Sequence, residues 1–191
     1  MILEPFQVAL SVADALERCG VPYVVGGSLA SSVSGEPRST LDIDLVVAMT
    51  EADVEPFIAT LGGRFHAEDH ALRRAVRQRS SVNLFHRATS TKVDLFIAGG
   101  SPLDRQAMRR RVRLQVASGP DRFLYVYTPE DILLQKLRWY RLGGEVSDRQ
   151  WRDILGIVLV QGHRLDEEYL RDGAHLLDVT ELLDRALQAR S

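Results

Sequence analysis

The sequence predicts an α+β fold, with a short mixed or antiparallel sheet flanked by helices and a helical bundle at the C-terminal end. Three observations carry this reading. The first hundred residues alternate apolar strand runs at residues 23–25, 41–47 and 92–98 with helical periodicities. From Thr128 onward every periodic segment is helical. The chain has 191 residues of which 45% are hydrophobic, enough to bury roughly 70% of its extended surface around an ordinary core. The shift near Thr128 divides the chain into an α/β unit at 1–127 and a helical unit at 128–191, expected to pack on it and complete a cleft.

Each element has a local cause. Residues 6–18 place Val8, Ala9, Val12, Ala13 and Leu16 at helical spacing, and Cys19 and Gly20 end the run. Pro22 leads into Tyr23, Val24 and Val25, a β-favouring triplet stopped by Gly26 and Gly27 and followed by a small-residue helix containing Ser28. A helix is expected at 51–61 and a hairpin-like stretch at 81–87. After Gly99, Gly100 and Pro102 comes an Arg-rich helix to Arg111, then strands at 112–117 and 123–127 separated by Ser118, Gly119 and Pro120. Thr128, Pro129 and Asp131 read as N-cap, first helical residue and capping-box partner of a helix carrying Ile132, Leu133, Lys136, Leu137 and Tyr140. Gly143 and Gly144 close it, Ser147 caps the next, and two more helical runs fill 166–190.

Composition excludes several classes. One cysteine makes no internal disulfide, and Cys19 lacks the neighbours of a structural zinc site. No apolar run reaches the roughly 20 residues of a membrane span, and the N-terminal stretch lacks a basic leader, so the cytoplasm is the expected compartment. With 24 basic and 26 acidic residues, the net charge of -2 argues against non-specific coating of nucleic acid.

The chemistry concentrates in three segments. Asp42 and Asp44 alternate with Leu41, Ile43 and Leu45, so both carboxylates leave one face of a strand whose other face is apolar. Asp94 repeats the pattern inside the run Lys92, Val93, Asp94, Leu95, Phe96. Aspartate is disfavoured in strands, and like charges brought together repel unless a cation sits between them. Oxygen ligands on rigid strands suit Mg²⁺, which also takes substrate phosphates; Asp42, Asp44 and Asp94 are the expected ligands of one ion or two. Asp94 is also the candidate to orient or deprotonate an attacking hydroxyl. Gly26, Gly27 and Ser28 allow backbone N–H groups to approach a phosphate at a helix start. No Lys follows the glycines as in a Walker A loop, and GxGxxG is absent.

A strand ending in Gly-Ser, a short helix, a DxD strand and a later strand with a third Asp resemble the nucleotidyltransferase fold shared by DNA polymerase β and minimal nucleotidyltransferases. Lys136 in LLQKLRWYRLGG and Arg152-Asp153 in SDRQWRDILGIV narrow the resemblance to the AbiEii-type toxins and their relatives, over about residues 23–159. The resemblance implies that Lys136 contacts nucleotide phosphate and that Asp153 orients this Lys or the base. It also implies that Arg38 and Thr40, in the spacer before the DxD strand, belong to the nucleotide site, Arg38 neutralising triphosphate charge. One departure is Gly156, where the family often carries another Asp.

The implied activity is Mg²⁺-dependent transfer of a nucleoside monophosphate from an NTP to a hydroxyl of RNA, tRNA, protein or a small molecule, with release of pyrophosphate. An antitoxin protein is a further implied partner. The alternative is a catalytically silent nucleotide-binding or toxin–antitoxin module of the same fold. The clusters Arg73, Arg74, Arg77, Arg79 and Arg109, Arg110, Arg111, Arg113 read as solvated helix faces before they read as an RNA track. Trp139, Tyr140 and Trp151 at helical spacing read as core before they read as base-stacking platforms.

Overall fold

A computed structural model of the chain describes residues 4–35, 43–116 and 122–190. Among the described residues, seven strands form one mixed sheet in the order β3-β4-β5-β2-β1-β7-β6. They are β1 (Tyr23–Val25), β2 (Ile43–Val47), β3 (Phe65–His66), β4 (Ser81–His86), β5 (Lys92–Ile97), β6 (Val112–Gln115) and β7 (Phe123–Val126). β2 runs parallel to β5 and antiparallel to β1. β1 is parallel to β7, and β4 closes a hairpin antiparallel to β5.

Period-two alternation sorts the strands' side chains into two layers. On one face Tyr23, Val25, Ile43, Leu45, Val47, Val93 and Leu95 are buried under α1 (Glu4–Arg18), α3 (Glu51–Leu61) and α4 (Asp69–Gln78), through Val12, Leu16, Phe57 and Leu72. On the other face lie α2 (Gly27–Ser34), α5 (Pro102–Arg110), α6 (Pro129–Leu142), α7 (Asp148–Gln161), α8 (Glu167–Leu176) and α9 (Thr180–Leu187). Their core joins Val24 of β1 and Tyr127, just after β7, to Ala30, Leu133, Leu137, Ile154, Ile157 and Leu170. The helices after Thr128 therefore share one apolar core with α2 and β1.

The caps behave as the sequence suggests. Thr128 Oγ1 accepts from the Asp131 N–H at 3.2 Å, and Ser147 Oγ accepts from the Gln150 N–H at 3.3 Å. Two elements differ from expectation. The stretch expected as a hairpin at 81–87 is a single strand, β4, whose partner arm is β5. Residues 69–78 form α4, which the sequence reading passed over because its buried stripe contains only Leu72 and Ala75 among exposed charges. That helix accounts for most of the first arginine cluster: Arg73 pairs with Asp69 at 2.8 Å and Arg77 with Glu51 at 3.0 Å.

Three arginines of the second cluster brace the fold, and Arg109 is exposed. Arg110 lies 3.9 Å from the centre of the Tyr169 ring and pairs with Glu130 and Asp131, while Arg111 and Arg113 stack over Tyr125 and Phe123. Tyr169 donates to Asp131 Oδ1 at 2.5 Å, tying α8 to the start of α6. Burial and the neighbouring Asp131 carboxylate push the Tyr169 phenol well above its ordinary range.

Candidate active site

The strand register sets the centre of the site. Asp44 on β2 and Asp94 on β5 are direct partners in the parallel pairing, so their side chains leave the same face of adjacent strands about 4.8 Å apart at the backbone. Asn83 of β4 continues the row beyond Asp94. On the reverse face of these strands Ile43, Leu45, Val93 and Leu95 are fully buried. The acidic row is therefore held by an apolar layer that cannot shift register without turning its whole hydrophobic set outward.

Asp94 is mostly enclosed. Lys92 Nζ lies 2.8 Å from its Oδ2, and among the described residues its other oxygen, Oδ1, is buried with no hydrogen-bond partner. A buried carboxylate oxygen left unsatisfied costs on the order of 1–3 kcal/mol or more, which a bound donor or cation would relieve. Asp44 packs against the opening of α2. The Gly26 N–H donates to the Asp44 carbonyl at 2.9 Å, and the Asp44 carboxylate occupies the space where a Cβ on Gly27 would stand. Gly27 has φ +56, so both its conformation and its closeness to Asp44 require glycine. With Gly26 extended as N-cap, the first N–H groups of α2 open beside the carboxylate.

α6 and α7 form the opposite wall of a cleft of about 740 Å³, a size that suits a nucleotide-sized ligand. Gly26, Gly27, Ser28 and Asp44 line one side; Ile132, Gln135, Lys136 and Trp139 of α6, with Arg149 and Gln150 of α7, line the other. Lys136 is only 8% exposed, and its Nζ pairs with Asp153 at 2.8 Å. Asp153 stands behind Lys136 and fixes where its ammonium points. Tyr127 underlies Gly26 at the floor; burial, reinforced by Asp104 and Asp131, keeps its phenol protonated far above the ordinary range.

The structure thus brings together Gly26, Gly27, Ser28, Asp44 and Lys136, with Asp94 beside Asp44 and Asp153 behind Lys136. Arg38, Thr40 and Asp42 lie outside the described residues. Among the described residues no group of three or more His, Cys, Asp or Glu side chains is arranged to hold a metal ion; Asp44 and Asp94 make a pair. Sequence reasoning missed Arg79, Arg138 and Arg149, which bring positive charge to the cleft, and the exposed Trp139. For Trp139 the signal was faint: with Gln135 and Lys136 it shares the helix face of Ile132, readable only once that face is known to border a cleft.

The backbone at Gly156 is approached closely by the end of α2. It is buried in α7, and a Cβ on Gly35 at the end of α2 would stand 2.9 Å from the Gly156 backbone. The two helices meet where there is little room for a side chain.

No family model and no curated protein matches the chain. Its similarity to solved structures is extensive at low identity. A solution structure of the antibiotic-resistance factor ANT(2'')-Ia aligns over 97% of this chain and 97% of its own, at 17% identity and a TM-score of 0.55. A crystal structure of ANT(2'')-Ia with adenylyl-2''-tobramycin aligns over 91% of this chain and 96% of its own, at 13% identity and a TM-score of 0.57. An antigenic nucleotidyltransferase-like protein from Paracoccidioides brasiliensis aligns over 99% and 94%, at 17% identity and a TM-score of 0.51. With the sheet order, the paired carboxylates and the glycine-opened helix already in place, these likenesses show that the chain has the nucleotidyltransferase fold.

Proposed function

We propose that the protein transfers a nucleoside monophosphate from an NTP to a hydroxyl acceptor and releases pyrophosphate. The observation that carries this reading is Asp44, set in a cleft between the glycine-opened start of α2 and the buried Lys136, with Asp94 as its in-register partner on the neighbouring strand. The N–H groups after Gly26 and the Ser28 hydroxyl suit the phosphates of the NTP, and Lys136, aimed by Asp153, suits them from across the cleft. Asp94 orients the acceptor hydroxyl and takes its proton as the oxygen attacks the α-phosphorus and the bond to pyrophosphate breaks. Arg38 and Thr40 join the triphosphate site in this reading.

Asp44 and Asp94 offer a hard cation two carboxylates on one face, with one Asp94 oxygen buried and unsatisfied, while Lys92 competes for the other oxygen. Asp42 completes the proposed Mg²⁺ ligand set. When bound, the ion neutralises triphosphate charge and polarises the reacting phosphorus.

Charge narrows the acceptor. The described cleft lining holds Arg79, Lys136, Arg138 and Arg149 against Asp44 and Asp104, and Asp104 is already 3.7 Å from Arg138. A polycationic aminoglycoside would meet like charge there; a neutral or anionic acceptor such as RNA, tRNA, a protein hydroxyl or a small phosphorylated compound would not. An AbiEii-type toxin role with an antitoxin partner rests on Lys136, Arg152 and Asp153. The test is incubation with each α-labelled NTP, Mg²⁺ and a total cellular extract. Label is expected in one of the RNA, protein or small-molecule fractions, and no incorporation with any NTP would overturn the proposal.

A further inference from the structure

The aromatic side chains of the helical half divide into two kinds. Tyr140 is buried against Trp151 with ring centres 5.2 Å apart, and the Arg185 guanidinium lies 3.8 Å from the Trp151 ring centre. Trp139, one residue before Tyr140, is 52% exposed and lines the cleft. About half of the Trp139 side chain is thus open to a ligand that enters the cleft.

Helical geometry places Trp139 relative to the phosphate site. Ile132, Gln135, Lys136 and Trp139 follow the i, i+3, i+4, i+7 spacing and share the cleft-facing stripe of α6. The stripe changes character along the axis, from the buried Ile132 through the cationic Lys136 to Trp139, whose backbone stands three residues or about 4.5 Å beyond Lys136. A nucleotide has the same sequence of parts, phosphate then ring. The same cleft is lined by Arg138, Arg149, Gln135 and Gln150. Among the described residues Gln150 Oε1 is buried without a hydrogen-bond partner, so rotating this amide into the cleft to meet a base edge gives up no bond of its oxygen.

We infer that Trp139 is the stacking wall for a nucleobase of a substrate, and that it sets affinity for that ring; this rests on the nucleotidyl-transfer reading above. The base belongs either to the NTP or to the acceptor, and the chemistry is the same. The chain contains two tryptophans, and Trp151 is packed against Tyr140 and Arg185, so the difference in fluorescence between the native protein and W139F isolates the signal of Trp139. The native protein and W139F are titrated with ATP, CTP, GTP, UTP, inorganic tripolyphosphate and a short oligoribonucleotide, all with Mg²⁺.

Saturable quenching of the native protein by an NTP, absent with tripolyphosphate and absent in W139F, assigns the ring to the NTP. The same pattern with the oligoribonucleotide alone assigns it to the acceptor. In transfer assays W139A should raise KM for that substrate roughly tenfold with kcat largely kept, and W139F should restore most of it. Absence of quenching by any base-containing ligand, or equal quenching by tripolyphosphate, overturns the inference. Transfer that persists in W139A with unchanged KM would do the same while leaving the proposed activity standing.

Discussion

The two faces of the central sheet are built from the same strands and do opposite things. Under α1, α3 and α4 the side chains of β2 and β5 are fully apolar and dry: Ile43, Leu45, Val93 and Leu95 have no exposed surface. On the other face the alternate positions carry Asp44 and Asp94, and α6 and α7 stand back to leave a cleft. The apolar face supplies the binding energy of the fold and locks the register; the acidic face spends some of that stability on an unsatisfied carboxylate oxygen. Substitutions on one face should therefore unfold the protein, and those on the other should silence it.

The largest expected effect lies on the acidic face. Asp94→Asn should cut nucleotidyl transfer by about a hundredfold or more with far-UV circular dichroism unchanged. If transfer survives, the two faces do not differ in the way described. Across the sheet, Leu45→Ala should cost about 2–5 kcal/mol in the urea midpoint, through lost burial and the cavity left behind, while whatever protein remains folded keeps its activity. Lys136→Met sharpens the contrast because it touches both properties. Removing the Lys136 ammonium from the mostly buried Asp153 carboxylate should cost about 3 kcal/mol. Lys136→Met/Asp153→Leu should regain much of that stability without regaining transfer.

Alkaline pH gives a smaller, graded effect. Burial, with Glu17 beside Tyr23 and Asp131 beside Tyr169, raises both phenols above their ordinary value of 10. The folded state then holds protons that the unfolded chain releases, so their contribution is complete below pH 10 and declines as pH rises beyond it. Denaturant midpoints between pH 9 and pH 11 should fall, and Tyr169→Phe should flatten part of that fall. The smallest effect belongs to the solvated pair of Arg77 with Glu51: Arg77→Ala should change stability by less than about 0.5 kcal/mol.

Much of this contrast was legible in the sequence. Strand alternation at Ile43, Asp44, Leu45 and at Val93, Asp94, Leu95 announces one dry face and one acidic face before any pairing is known. What alternation does not carry is register, and it is the parallel pairing of β2 with β5 that brings Asp44 opposite Asp94. Gly27 was visible as a turn residue, whereas its need to admit the Asp44 carboxylate is a long-range fact. α4 escaped because a helix with two buried residues among arginines has almost no apolar periodicity to read. Trp139 was read as core with Tyr140 and Trp151 because helical spacing makes all three look alike, and only the placement of α7 leaves the first one open.

The central claim is that the face bearing Asp44 performs nucleotidyl transfer, and one side-by-side measurement addresses it. Pyrophosphate release from each NTP, with Mg²⁺ and cellular extract, is followed for the native protein and for Asp44→Asn matched for fold by circular dichroism and urea midpoint. Release by the native protein and background release by the variant is the predicted result. Equal release by both proteins would contradict the account.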